Sequence, residues 1–554
     1  MDRSHISNRL RLQGVGVLMG IFGVAWPFIP VTLKAQDDAY QQAVLSIQRQ
    51  IEAGDLDGAR KLAGEIYVRY PHDGGVENLI GVIEIQQGHD SEAKQAFSKA
   101  IEHSPRLVSA YLNLSRIEMR DAADDPKVRE SALRHSLRAA QLDPANDEAH
   151  YNLANIYLWK KQYQLSLSQL GKLSPSARQR VGAEAVLCAD RANAGTRDAM
   201  EVAVRELAAN PDSAEEDANT CLPALQKARR ADLIEELFRQ VGNHGKLSAG
   251  GRRTLGLAME ANGNLKDSRA MLESAFEASG RSVVILQDLA RVAKAEKDNE
   301  GALGYLAHAR DLAPNDPKLP FDFAAVCLRL NLFGEARKAL EESIRLAPDN
   351  PESNFALGLV VSYSADPTQA LKYLNRFHQL RPNDPEGLLA LGRANYAGKD
   401  FDTATQWLKQ AAASPKTAAD ARLYLGRIAR QEGHLESAIA ELNRSLAMNP
   451  KQADALSELG QINLLQRDFK RAEERFESAL RLKPESYTAN FGLLQLYART
   501  GDPRREEQSK RFDAIKGKKE EQERQMMRAI EIRRGNQAYS APENTAEPST
   551  TNER

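Results

Sequence analysis

Apolar and small residues recur along this chain at helical spacing, inside segments of near-constant length that close on proline. Segment 351–384 sets the pattern. Phe355, Leu357, Gly358 and Val361 share one face of a first helix predicted from Glu352 to Ser364. Asp366-Pro367 breaks that helix and opens a second, whose apolar side carries Ala370, Leu374 and Phe377. Arg381-Pro382-Asn383-Asp384-Pro385 ends the unit, because proline cannot sit in a helix interior. Two short amphipathic helices joined by a turn cannot bury both apolar faces alone, so such a unit is stable only against a neighbour.

Neighbours are supplied by repetition. Pro71 and Pro105 are 34 residues apart, as are Pro314, Pro348 and Pro382 in succession, and Pro450 and Pro484. Leu357-Gly358 returns as Leu425-Gly426 and Leu459-Gly460; Ala370 returns as Ala438 and Ala472, and Leu374 as Leu442 and Phe476. A period of this length means a stacked array and not one closed core. With its Leu, its Gly or Ala, its later Ala, its Leu or Phe and its closing Pro, the pattern resembles the tetratricopeptide repeat, over about residues 40–520. The resemblance implies an all-α, right-handed α-solenoid of stacked helix-turn-helix repeats. Its phase places an N-terminal array at 40–212 and a degenerate repeat at 213–248, where Pro223 falls inside the first helix and a hinge is expected. A C-terminal array follows at 249–520, with a capping helix to 534 and a polar tail at 535–554 expected to be disordered.

Residues 1–35 stand apart from the repeats. Arg3, Arg9 and Arg11 precede an apolar run from Gly14 to Phe28, and Leu33-Lys34-Ala35 precedes Gln36. That order reads as a secretory signal cut after Ala35, or as an anchor that stays in the inner membrane. Either reading sends the array out of the cytoplasm, to the periplasm or beyond. Three cysteines remain: Cys188, Cys221 and Cys327. Cys188 and Cys221 are 33 residues apart, at near-equivalent places in adjacent repeats. With helices packed roughly 8–10 Å apart and a disulfide needing alpha carbons within about 7 Å, three unpaired thiols are expected.

Charge and motifs narrow the function. Lys plus Arg number 75 against 76 Asp plus Glu, so no global field draws the chain to nucleic acid. No HExxH, no phosphate-binding glycine loop, no GxSxG elbow and no His/Cys cluster at metal-ligand spacing occurs. The expectation is therefore a protein without catalytic residues, cofactor, metal or small-molecule substrate. It touches a membrane only if residues 1–35 remain as an anchor.

The family resemblance implies that the first helix of each repeat lines a concave face that binds peptides. Carried onto this chain, it picks Arg393, Arg427 and Gln461 at equivalent positions of successive repeats. Arg430 lies one turn from Arg427, and Tyr396, Phe321 and Phe355 supply an apolar strip. An extended peptide whose carboxylates meet the guanidinium forks would suit that face. The competing reading is that the aromatics fill space between helices and the arginines pair with acids such as Glu386 and Asp420. The chaperone-tail clamp known in the family does not fit, since Leu112 and Arg116 stand where its Lys and Asn belong. The function expected is a protein–protein interaction scaffold of the cell envelope. A membrane-anchored accessory subunit for assembly, export or polysaccharide secretion is one alternative. The recognition subunit of an enzyme complex is another.

Overall fold

A computed structural model of the chain describes residues 38–121, 125–245, 247–363 and 366–518. Every regular element among the described residues is an α-helix, and the helices alternate with short turns. The template unit forms helices Pro351–Tyr363 and Pro367–Leu380. Pro367 occupies the first turn, where a missing N–H costs nothing, and the Asp366 carboxylate caps the helix by accepting from the Gln369 N–H. Asp384 does the same for Pro385–Ala397, accepting from the Gly387 N–H. The proline-aspartate punctuation seen in the sequence is thus a set of helix starts.

Between the two helices of a pair, one residue turns the backbone through the left-handed region. In the later repeats these residues are Gly263, Lys297, Asn331, Lys399, Gly433, Arg467 and Gly501, spaced by 34 residues or twice that. The recurring Leu-Gly pair has an equally physical cause. A Cβ on Gly358 would lie 2.7 Å from the Leu374 side chain, one on Gly426 2.7 Å from Leu442, and one on Gly460 2.6 Å from Phe476. Leu374, Leu442 and Phe476 are fully buried. Each glycine and the apolar residue that follows it sixteen positions later are therefore the two sides of a single contact.

The chain divides into two compact units between Gly280 and Arg281. In the second unit each helix packs on the next in chain order, and the first helices of successive pairs also touch one another from Pro351–Tyr363 to Tyr487–Thr500. That arrangement lines the first helices up along one face of the unit. A terminal helix over 505–518 follows and buries Phe512 against the end of the row. In the first unit, residues 213–248 contain two regular helices, Glu215–Lys227, which runs through Pro223, and Ala231–His244. Their Leu225, Leu237 and Phe238 share a core with Val204, Leu207 and Leu255 on either side.

The cysteines depart from expectation. Cys188 and Cys221 form a disulfide, with alpha carbons 5.7 Å apart, and Cys327 is buried outside that bridge. The sequence estimate used the distance between helix axes. Alpha carbons sit about 2.3 Å off the axis, so residues that face each other across two helices come several ångströms closer than the axes do. Small neighbours, Ala185 and Ala218, let the helices Val181–Ala194 and Glu215–Lys227 close up further. The segments read as signal or anchor (1–35) and as tail (535–554) lie outside the described residues, as does the part of the expected capping helix from 519 to 534. Among the described residues no helix is long and apolar enough to cross a membrane.

Candidate partner-binding surface

The residues picked from the sequence separate into one assembled group and three outliers. Arg393 and Tyr396 stand on helix Pro385–Ala397, and Arg427 and Arg430 on helix Ala418–Gln431 of the next repeat. Tyr424, one turn before Arg427, joins them. Its ring receives the Arg393 guanidinium at 5.5 Å and the Arg427 guanidinium at 5.0 Å, and meets the edge of the Tyr396 ring at 5.3 Å. Tyr396 also accepts a hydrogen bond at its hydroxyl from Gln431 Nε2 at 3.0 Å and packs 5.8 Å from Phe401. Burial pushes the Tyr396 phenol above its ordinary range, so it stays an uncharged hydroxyl.

The two arginines of helix Ala418–Gln431 are not free. Arg427 Nε donates to Glu458 Oε1 at 2.8 Å, and Arg430 Nε donates to Glu458 Oε2 at 2.9 Å. The Glu458 side chain is 7% exposed, against 18% for Arg427 and 27% for Arg430. Burial disfavours the Arg427 charge, but Glu458 and the neighbouring Tyr424 outweigh it and hold the guanidinium above its ordinary value. The acid that pairs with the ladder therefore comes from the following repeat, on helix Ala453–Leu465. Glu386 pairs with Lys416 instead, and Asp420 accepts from Gln452.

Arg393 differs. It is exposed, it lies on the tyrosine ring, and no carboxylate among the described residues pairs with it. An exposed fork beside two tyrosine rings can take a carboxylate while the rings take an apolar or aromatic side chain.

Phe355 does not reach this group. Its ring packs 4.7 Å from Phe377, and Phe377 in turn fills the space beside Gly387. Phe321 is half-buried against the core around Leu340 and Leu357. Gln461, one repeat beyond Arg427, is half-buried, and its amide lies against Gly492. Tyr424 and Glu458 were not singled out in the sequence. Tyr424 had a usable signal, since it sits three residues from Arg427 on the same helical face. In the first unit, His72, Glu77 and His103 come within 4.8 Å of one another, a grouping their sequence separations hid.

The family model of the tetratricopeptide repeat matches residues 360–420, 408–453, 423–474 and 465–508, the stretch that carries this surface. The chain carries tetratricopeptide repeats. No curated protein matches it. Among solved structures it is similar to the Cut9-Hcn1 hetero-tetramer of APC/C, at 13% identity over 82% of this chain and 95% of that one, TM-score 0.35. A tetratricopeptide repeat protein from Parabacteroides merdae matches at 13% identity over 45% of this chain and 98% of its own, TM-score 0.38. YrrB, described as a tetratricopeptide repeat protein with an unusual peptide-binding site, matches at 20% identity over 39% and 95%, TM-score 0.25. As a tetratricopeptide repeat array, the chain has the architecture of a protein–protein interaction scaffold.

Proposed function

We propose that this protein is a non-catalytic scaffold of the cell envelope that binds a partner peptide or protein along the first helices of its second unit. The observation that carries the reading is Arg393. Its guanidinium is exposed and without a carboxylate among the described residues, while Arg427 and Arg430 are both paired with Glu458. Arg393 with Tyr396 and Tyr424 forms the contact point, and the Arg427–Glu458–Arg430 triad holds the tyrosine in place. A partner segment with a carboxylate next to an aromatic or aliphatic side chain matches that chemistry.

Two features support export. The segment 1–35 has the order of a secretory signal, and the Cys188–Cys221 disulfide is of a kind that persists in oxidising compartments. The mass of the chain isolated from its native cell tests this reading. A start at Gln36 fits a released periplasmic scaffold, and an intact N-terminus fits an anchored one.

Affinity capture with the native protein and with Arg393→Glu plus Tyr396→Ala tests the binding surface. Partners held by the native form and lost by the variant support it. An identical partner set at equal yield removes the surface from consideration and leaves the scaffold reading standing.

A further inference from the structure

His72, Glu77 and His103 form a cluster that the scaffold reading does not use. Each offers one ligand atom, and the three atoms lie within 4.8 Å of one another. His72 lies in the turn between the second helix of one pair, Leu56–Arg69, and the first helix of the next, Gly74–Gln86. Glu77 stands in the first turn of Gly74–Gln86, and His103 is the last residue of the partner helix Asp90–His103.

Three observations set the cluster apart from an ordinary surface ion pair. The Glu77 side chain is 3% exposed, and no lysine or arginine among the described residues pairs with it. Its oxygens instead meet the Tyr67 hydroxyl at 3.2 Å, which donates to Oε1, and His103 Nδ1 at 2.8 Å from Oε2. The rings of His72 and His103 approach to 4.5 Å between centroids, edge to face. Finally, His72 has φ +67°. Every other described non-glycine residue with a positive φ sits in the turn inside a helix pair; His72 alone sits between pairs. That strained conformation brings its imidazole to the other two groups.

We infer that His72, Glu77 and His103 bind a divalent transition-metal cation of the zinc class. Two imidazoles and one carboxylate are borderline ligands that suit Zn²⁺ or Co²⁺ and suit Mg²⁺ and Ca²⁺ poorly. A tetrahedral Zn²⁺ with ligands at about 2.0–2.2 Å needs donor atoms roughly 3.3 Å apart. Rotation of the exposed His72 side chain closes that remaining gap. The Tyr67 hydroxyl already donates to Glu77 and fixes the carboxylate. Three protein ligands leave a fourth position for water or for a donor from a bound partner. The cation joins the inter-repeat turn to both helices of the following pair, so it staples the junction between the first two described pairs.

Titration of the full-length protein with Zn²⁺, followed by calorimetry, tests the inference, with Co²⁺ substitution as the spectroscopic probe. One equivalent should bind, and the affinity should fall at least tenfold in His72→Asn and in Glu77→Gln. His72→Asn is the decisive variant, because His72 is exposed and asparagine tolerates the left-handed backbone. The Co²⁺ form should show ligand-field bands without thiolate charge transfer. Absence of stoichiometric binding, or equal affinity in His72→Asn, overturns the inference. So does a thiolate charge-transfer band, which would put the ion on Cys327.

Discussion

Two junctions between neighbouring repeats show how differently one architecture can be held together. In the first unit, helix Val181–Ala194 meets Glu215–Lys227 through small residues and the Cys188–Cys221 disulfide. The second helices of these pairs, Arg197–Ala209 and Ala231–His244, pack on each other as well. In the second unit, helix Ala418–Gln431 meets Ala453–Leu465 through Arg427, Arg430 and the shared carboxylate of Glu458. The covalent junction is made by two side chains that are themselves fully buried. The ionic one draws its arginines from the exposed face of the helix row, and so leaves Tyr424 and Arg393 presented beside it. The first junction serves stability, and the second serves recognition as well on the reading proposed above.

The comparison can be broken from either side. The largest effect should come from Cys188→Ser with Cys221→Ser. Opening a covalent loop that spans 33 residues costs about 3–4 kcal/mol. Hydrogen exchange should show the loss in the first unit and leave residues 418–465 as protected as before. Next comes Gly426→Val in the second unit. Its Cβ would lie 2.7 Å from Leu442, and such overpacking costs about 1–3 kcal/mol. The denaturation midpoint should fall, with faster exchange confined to the repeats around 418–448.

Glu458→Gln should cost about 1–2 kcal/mol, below the range for fully buried pairs because both arginines keep some solvent contact. Unlike the first two changes, it should also alter partner capture, since it frees Arg427 to move off Tyr424. A retained capture profile would mean that the triad only joins repeats.

The last effect has the opposite sign. Asp190, on the same helix as Cys188, is fully buried with neither carboxylate oxygen hydrogen-bonded. Burial pushes it up to about 7, and the neighbouring Ser166 hydroxyl donates to the Ala154 carbonyl instead. The folded protein keeps this proton where the unfolded chain has lost it. The stability it contributes is therefore full below about pH 4, falls as pH rises, and is gone above about pH 7. Asp190→Asn should melt a few degrees higher than the native protein at pH 8 and level with it at pH 4. Parallel pH profiles for the two proteins would show that Asp190 is ionised and solvated throughout.

The helices and their pairing were legible because they depend on local chemistry that repeats. Asp366-Pro367 and Asp384-Pro385 announce helix starts, and Gly358 with Leu374 announces a contact within one unit. What stayed hidden links one repeat to another. Cys188–Cys221, Arg427–Glu458 and Arg430–Glu458 span 33, 31 and 28 residues, each somewhat short of the period. Such pairs follow from which faces of successive helices meet, which a single repeat does not state. The cysteines are of this kind, since their spacing stands in the sequence and their facing does not. His72, Glu77 and His103 were hidden for a related reason, because they join a turn, a helix start and a helix end, and no linear motif describes that combination.

The left-handed turn residues at Gly263, Lys297, Asn331, Lys399, Gly433, Arg467 and Gly501 act as a ruler. One residue inserted between such a turn and its second helix's buried alanine would rotate that helix's apolar stripe by about 100°, away from its neighbours. Insertions of a single residue are therefore admissible only in the links between pairs. A chain built to this gauge changes length safely in one other way, by gaining or losing whole modules, and its reach along a partner grows in steps.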